Sequence, residues 1–212
     1  MSVHPVVTLI GEIGNYLQAR PGPGIAEVSR GIARWGIGRT RPVPAHEIAA
    51  CRHLDGALAA VEGHDRLRAA IVAARPCLAW EAYTPYSPER IGQHFPGAHA
   101  FASLIGGGAP IPAEDFELGL FLIAPRMLYR DHRHTAPELY APLTGPHRWR
   151  FGSDDNWASL PAHVPVWNEP RRIHATITGE VPFLCIFCWT RDVNDPAEVV
   201  IAGDWDVIEA GL

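Results

Sequence analysis

No stretch of this chain approaches the ~18–20 uninterrupted apolar residues that a membrane-spanning helix needs. Met1 to Tyr16 holds apolar side chains but no basic leader, and Glu12 interrupts it before any small-residue cleavage site. The chain therefore reads as lacking a secretory signal and is expected in the cytoplasm. Blocks of like charge are also missing. A net charge of −5 with no run of five or six acids or bases argues against nucleic acid and anionic membrane surfaces as partners. Cysteine is scarce, and four in 212 residues do not describe a disulfide framework. Cys185 and Cys188 form a Cys-x-x-Cys, but no second pair completes a tetrahedral site. Three-residue spacing on an apolar strand sends the two sulfurs to opposite faces, so both are expected as small buried hydrophobes. Gly106-Gly-Gly108 lacks the Gly-Lys-Ser/Thr that would make it a phosphate cradle and reads as a loop. What these absences leave is a small-molecule partner.

At 23.2 kDa the chain fits one structural domain with a substantial core. Residues 1–77 read as an N-terminal arm and helices packed on a barrel formed by residues 78–212. From Met1 to about Pro44, Pro21-Gly-Pro-Gly24 and Gly36-Ile-Gly38 punctuate the chain into turns and at most brief helices. Such an arm leaves a homodimer open. From Ala45 to Ala74, apolar residues recur at three- and four-residue spacing, with Gly63 dividing two helices and Pro76 closing the second. Leu78 to Tyr86 is rich in aromatics, and His94 to Phe101 suits a helical turn. Seven short runs then read as strands: Phe116 to Pro125, Met127 to Arg133, Glu138 to Leu143, His147 to Phe151, Arg172 to Thr178, Val181 to Trp189 and Glu198 to Ile201. They suggest a mainly β sandwich or barrel. Leu143-Thr-Gly-Pro146 reads as a tight turn, with Gly145 free to take a positive φ.

One stretch, Asp131 to Tyr140, gathers two imidazoles, a carboxylate and a phenol. In a strand, His132 and His134 point to the same side, and so do Glu138 and Tyr140 in the next one, with Pro137 breaking the ladder between them. Nitrogen and oxygen donors of this mix suit one divalent transition metal, Zn²⁺, Fe²⁺, Mn²⁺, Co²⁺ or Ni²⁺. A pair of surface histidines beside a turn is the alternative.

The pattern His132-x-His134-x-x-x-Glu138-x-x-x-x-x-x-Gly145 resembles the first cupin motif, apart from its leading glycine, whose place is taken by Arg126. The downstream cupin histidine would be His174, without the usual Pro-x-Gly-x-x-His setting; His163 is the other candidate. More narrowly, Gly119 to Pro125, Tyr129 to Gly145, Trp149, Asn168, His174-Ala175 and Trp189 resemble the cupin dimethylsulfoniopropionate lyases over about residues 78–190. The resemblance implies a double-stranded β-helix, a jelly-roll barrel with an N-terminal helical extension and a metal inside.

It also implies a chemistry. The family's substrate is a small zwitterion joining a sulfonium to a carboxylate, and its reaction is a β-elimination to dimethyl sulfide and acrylate. On that reading His134, Glu138 and His174 bind the metal, His132 is a fourth ligand or an orienting neighbour, and Tyr140 is base, ligand or both. Tyr129 is the second candidate base. Trp189, with Tyr83 and Tyr86, would offer aromatic faces to the sulfonium. A cupin metalloenzyme acting on another small carboxylic acid, whether dioxygenase, isomerase or lyase, and a non-catalytic acid-binding cupin are the rival readings, because the fold hosts many reactions.

Overall fold

In the run from Glu117 to Ile123, alternate side chains point to opposite sides, yet Leu118, Leu120 and Leu122 are buried and so are Phe121 and Ile123. A strand without a polar face needs cover on both sides, and this requirement shapes the molecule. The computed structural model describes residues 3–36, 38–152 and 156–212. Numbered in chain order, the strands of one sheet run β2 (Ile111–Pro112), β1 (His99–Gly106), β3 (Glu117–Ile123), β10 (Phe183–Trp189), β5 (Glu138–Pro142) and β8 (Val166–Asn168). The second sheet runs β11 (Glu198–Val199), β4 (Leu128–Arg133), β9 (His174–Ile177), β6 (His147–Phe151) and β7 (Ala158–Leu160). From β3 onward the chain passes repeatedly from one sheet to the other, which makes a double-stranded β-helix.

Each face of the six-stranded sheet has its own core. Phe121, Tyr140, Phe183, Cys185 and Phe187 point inward and join Tyr129 and Trp149 from the facing sheet. Leu118, Leu120, Leu139, Leu184, Ile186 and Cys188 point outward onto the helices α1 (Pro5–Gln18), α2 (Ile25–Trp35), α3 (Leu54–Ala59) and α4 (Asp65–Ala74). Cys185 and Cys188 are thus on opposite faces, free and buried.

The N-terminal region is more regular than its prolines and glycines suggest. The helix α1 is 14 residues long, with Pro5 in its first turn and the His4 side chain accepting from the Val6 amide at 3.3 Å. Val6, Leu9, Ile10, Ile13, Tyr16 and Leu17 bury one face of it, so tertiary packing extends a helix that turn signals elsewhere seemed to exclude. Residues 99–106 form β1, where a turn and a loop are expected. Only Phe95–Gly97 makes the turn, and pairing with β3 along most of its length holds the rest extended.

Gly145 is not at positive φ. Glycine is needed there because a Cβ would lie 2.5 Å from the Ala162 amide nitrogen, where a second segment crosses. Positive φ falls instead on Arg126, at 53°, the place where the cupin pattern carries its leading glycine. The Arg126 side chain reaches only exposed Glu180, at 2.9 Å. Relief of the left-handed backbone should outweigh loss of that surface pair, so Arg126→Gly is expected to raise stability by ~0.5–1 kcal/mol. A lowered urea midpoint would contradict this.

Candidate metal centre and its pocket

β4 and β5 belong to different sheets, and the turn between them, from His134 to Pro137, carries the chain from one sheet to the other. Donors from both walls thereby meet. His132 on β4 is the direct cross-strand partner of His174 on β9, and His134 follows β4 immediately. One ring nitrogen from each of the three histidines lies within 4.8 Å of the others, and all three residues are buried. His132 and His134 therefore present their rings to one point. Asp131, between strand neighbours, points the other way, where Arg150 at 2.5 Å and the Trp205 indole N–H at 2.8 Å hold it.

Backbone carbonyls fix the protonation pattern of the cluster. His132 Nδ1 lies 2.8 Å from the Arg130 carbonyl, His134 Nδ1 2.7 Å from that of Ala136, and His174 Nδ1 2.9 Å from that of Arg172. A carbonyl only accepts, so each Nδ1 carries a proton and each ring turns its Nε2, the nitrogen left to bind a metal, inward. His132 Nε2 and His174 Nε2 are buried without a hydrogen-bond partner. His134 Nε2 faces Glu138 Oε2 at 3.1 Å, and His174 Nε2 faces the same oxygen at 3.4 Å. Ring nitrogens that converge on a buried carboxylate suit a shared cation, and imidazoles anchored through Nδ1–H are oriented as metal ligands commonly are. The residues fit a divalent metal.

Charge and burial pull these groups apart. Burial, and then the neighbouring His174, hold His132 well below its usual range. For His134, burial is outweighed by Glu138, which raises it. Glu138 is pushed up by burial but lies well below the usual carboxylate range because His134 and His174 favour its charged form.

The strand register explains how Glu138 is held. Its Cα partners are Asn168 on β8 and Trp189 on β10. Trp189 Nε1 donates to Glu138 Oε1 at 2.7 Å, and Asn168 Nδ2 donates to Oε2 at 3.2 Å. The Trp189 indole also lies 4.6 Å from the His134 ring. Trp189 thus lines the pocket and positions a carboxylate, a role its apolar sequence setting did not suggest.

Beside the cluster opens a cavity of about 330 Å³ lined by Tyr83, Tyr86, Tyr129, Glu138, Tyr140 and Trp189, among others. All five aromatic residues singled out in the sequence are brought together there. Tyr140 lies next to Glu138 in this wall, and burial, then the Glu138 charge, push its phenol well above the ordinary value. Tyr129 stacks on His132 at 3.9 Å and shares a 3.0 Å hydrogen bond with Tyr86. Tyr83 accepts from the Ala197 amide at 2.7 Å, while its own amide donates to His99 at 2.9 Å. His163 is elsewhere, against Tyr16 at 3.0 Å and the His64 ring. Glu117 also lines the cavity; its signal in the sequence was being the one charged residue in the apolar run Phe116 to Pro125.

Two facing sheets that gather three histidines and a glutamate between them define a cupin with a candidate metal centre. The dimethylsulfoniopropionate lyase family model matches residues 37–185. The chain is 32% identical over 178 residues to a protein of Cereibacter sphaeroides provisionally named dimethylsulfoniopropionate lyase DddL, covering 81% of this chain and 70% of that one. This chain belongs to the dimethylsulfoniopropionate lyase family, and by family it is a carbon–sulfur lyase. In fold it is similar to a chain from the crystal structures of the lyases RdDddP and RnDddQII, with a TM-score of 0.73 at 21% identity over 93% of this chain and 98% of that one. It is similar too to the lyase DddQ of Ruegeria pomeroyi, with a TM-score of 0.67 at 20% identity over the same shares, 93% and 98%. Among the described residues, no helix is long and apolar enough to cross a membrane.

Trp189→Phe keeps a ring in place and deletes the donor to Glu138. It is expected to cost ~1–3 kcal/mol, the range for a buried charge-assisted hydrogen bond, read as a lower urea midpoint. An unchanged midpoint would show that Glu138 does not depend on that bond.

Proposed function

We propose that this chain cleaves dimethylsulfoniopropionate to dimethyl sulfide and acrylate by β-elimination. The observation that carries the reading is the meeting of three inward-facing Nε2 atoms and Glu138 at the wall of an aromatic pocket that also contains Tyr140. His134, Glu138 and His174 would hold one divalent transition metal, Zn²⁺, Fe²⁺, Mn²⁺, Co²⁺ or Ni²⁺. His132 would be the fourth ligand, since its Nε2 faces inward without a partner. When bound, the metal supplies Lewis acidity to the substrate carboxylate and a positive field that favours the phenolate of Tyr140.

The α-proton of a carboxylate is feebly acidic, and the protein must place a base against it. Tyr140 takes that proton. The C–H electron pair becomes the new carbon–carbon double bond, the bond from the β-carbon to sulfur breaks, and sulfur leaves with its electrons as neutral dimethyl sulfide. Tyr129 is the second candidate base, but its hydroxyl is shared with Tyr86 and its ring braces His132, which suits a positioning role. Trp189, Tyr83 and Tyr86 would present ring faces to the sulfonium of the bound substrate, an attraction of ~2 kcal/mol or more for a desolvated cation.

Purified metal-loaded protein is expected to release dimethyl sulfide and acrylate from dimethylsulfoniopropionate in equal amounts. Tyr140→Phe should lower kcat by ~10²–10⁴ while the fold is kept, as removal of a general base does. A metal-loaded wild type that is inert toward this substrate across pH would end the lyase reading. Separately, His134→Ala and His174→Ala should each lose most of the bound metal by elemental analysis. Full metal content in both would refute the ligand set.

A further inference from the structure

The pocket's other end carries a carboxylate without a basic partner. Glu117 and Glu138 are both Cα partners of Trp189, on β3 and β5, the two strands that flank β10. They therefore share one row of the sheet and one face of it, about 10 Å apart at two strand spacings. Both line the same cavity. Glu138 is engaged by His134, His174, Trp189 and Asn168. Among the described residues, Glu117 has only the Ser103 hydroxyl as a hydrogen-bond partner, which donates to its Oε1.

No lysine occurs anywhere in the sequence. Among the described residues, no arginine or histidine forms an ion pair with Glu117, and the cavity wall includes no basic side chain. Burial pushes the Glu117 carboxyl above the usual range; Ser103 offsets part of that, and Glu81 adds to it. A mostly buried carboxylate is costly unless a cation reaches it. Position 119 on β3 is glycine, and the Phe187 ring packs into the space that a Cβ would need, its Cε1 only 2.6 Å from that point. Phe101, Phe187 and Tyr83 line the cavity with Glu117, and its other carboxylates are Glu138, engaged at the histidine cluster, and Asp195.

We propose that Glu117, positioned by Ser103, is the cation subsite of this pocket and selects zwitterions whose onium group lies a few carbons from the carboxylate held at the histidine–glutamate centre. The proposal rests on the lyase reading for the identity of the ligand, a sulfonium carboxylate, but not for the presence of the subsite. In it, the aromatic rings shape the site and Glu117 supplies the charge. An electrostatic partner of this kind favours an onium over an uncharged group of the same shape, and it does not act on the bond that breaks. Glu117 is a specificity residue; the proton transfer belongs elsewhere.

Two unreactive probes of one shape separate charge from fit: 3-(trimethylammonio)propionate and its carbon isostere 4,4-dimethylpentanoate. Calorimetry on the metal-loaded wild type should show tighter binding of the cationic probe. In Glu117→Gln, which keeps a hydrogen-bonding partner for Ser103, that preference should fall by ~10- to 100-fold while the neutral probe binds as before, as expected for removal of one close, partly desolvated charge. Glu117→Asp should retain most of the preference. A wild type with no preference for the cationic probe overturns the proposal without use of any variant, and so does a Glu117→Gln protein whose preference is unchanged. Turnover of dimethylsulfoniopropionate by the wild type is scored separately. Discrimination between the probes without cleavage would defeat the lyase reading and leave the subsite standing.

Discussion

Three imidazole N–H groups, each given to a backbone carbonyl two residues away, determine what the interior of this barrel can do. A neutral histidine has one donor and one acceptor nitrogen, and once the donor is committed the acceptor has no choice of direction. Arg130, Ala136 and Arg172 supply the carbonyls, and each lies in or beside the strand that carries its histidine or the turn that follows it. The anchoring is local. Its result is not, because the three Nε2 atoms come together only when β4 and β9 pair and the turn after Arg133 crosses to the opposite sheet. Packing around the cluster then holds it rigid: Tyr129 lies on one face of His132, and Trp189 lies against His134.

The same sheet register that fixes Glu138 lays out the pocket. Asn168, Glu138, Trp189 and Glu117 occupy one transverse row across β8, β5, β10 and β3. In the adjacent row, Tyr140, Phe187 and Gly119 are partners. Polar groups thus flank the Trp189 ring at strand spacing, and the row runs from the histidine cluster to a carboxylate that, among the described residues, has no ion-pair partner. The helices α1 to α4 contribute nothing to this lining. They bury the outer face of the sheet that bears it, so the inner row has a firm base.

The Asp131 to Tyr140 stretch shows how far local pattern reaches. Strand periodicity places His132 and His134 on one side and separates them from Asp131, and Pro137 marks the break, all of which the fold keeps. Cys185 and Cys188 likewise divide between faces as their spacing requires. Other signals were ambiguous. The leading residue of the cupin pattern is an arginine whose left-handed backbone is the very feature a glycine would reveal. Gly145 is required by a chain crossing rather than by its own φ, and no local rule reports what a distant segment does. The helix α1 is set by an apolar face whose partners lie in the barrel and in α4.

Residue spacing by itself determined the strands' two-residue alternation, the identity of the donors and the aromatic richness of the segments that wall the pocket. These depend only on backbone geometry and side-chain chemistry, which are local. Tertiary structure alone decided that His174 rather than His163 joins the cluster, that Trp189 donates to Glu138, and that Glu117 faces the same cavity. Each of those depends on register between strands far apart in sequence, and register is set by which apolar faces find cover when the two sheets close.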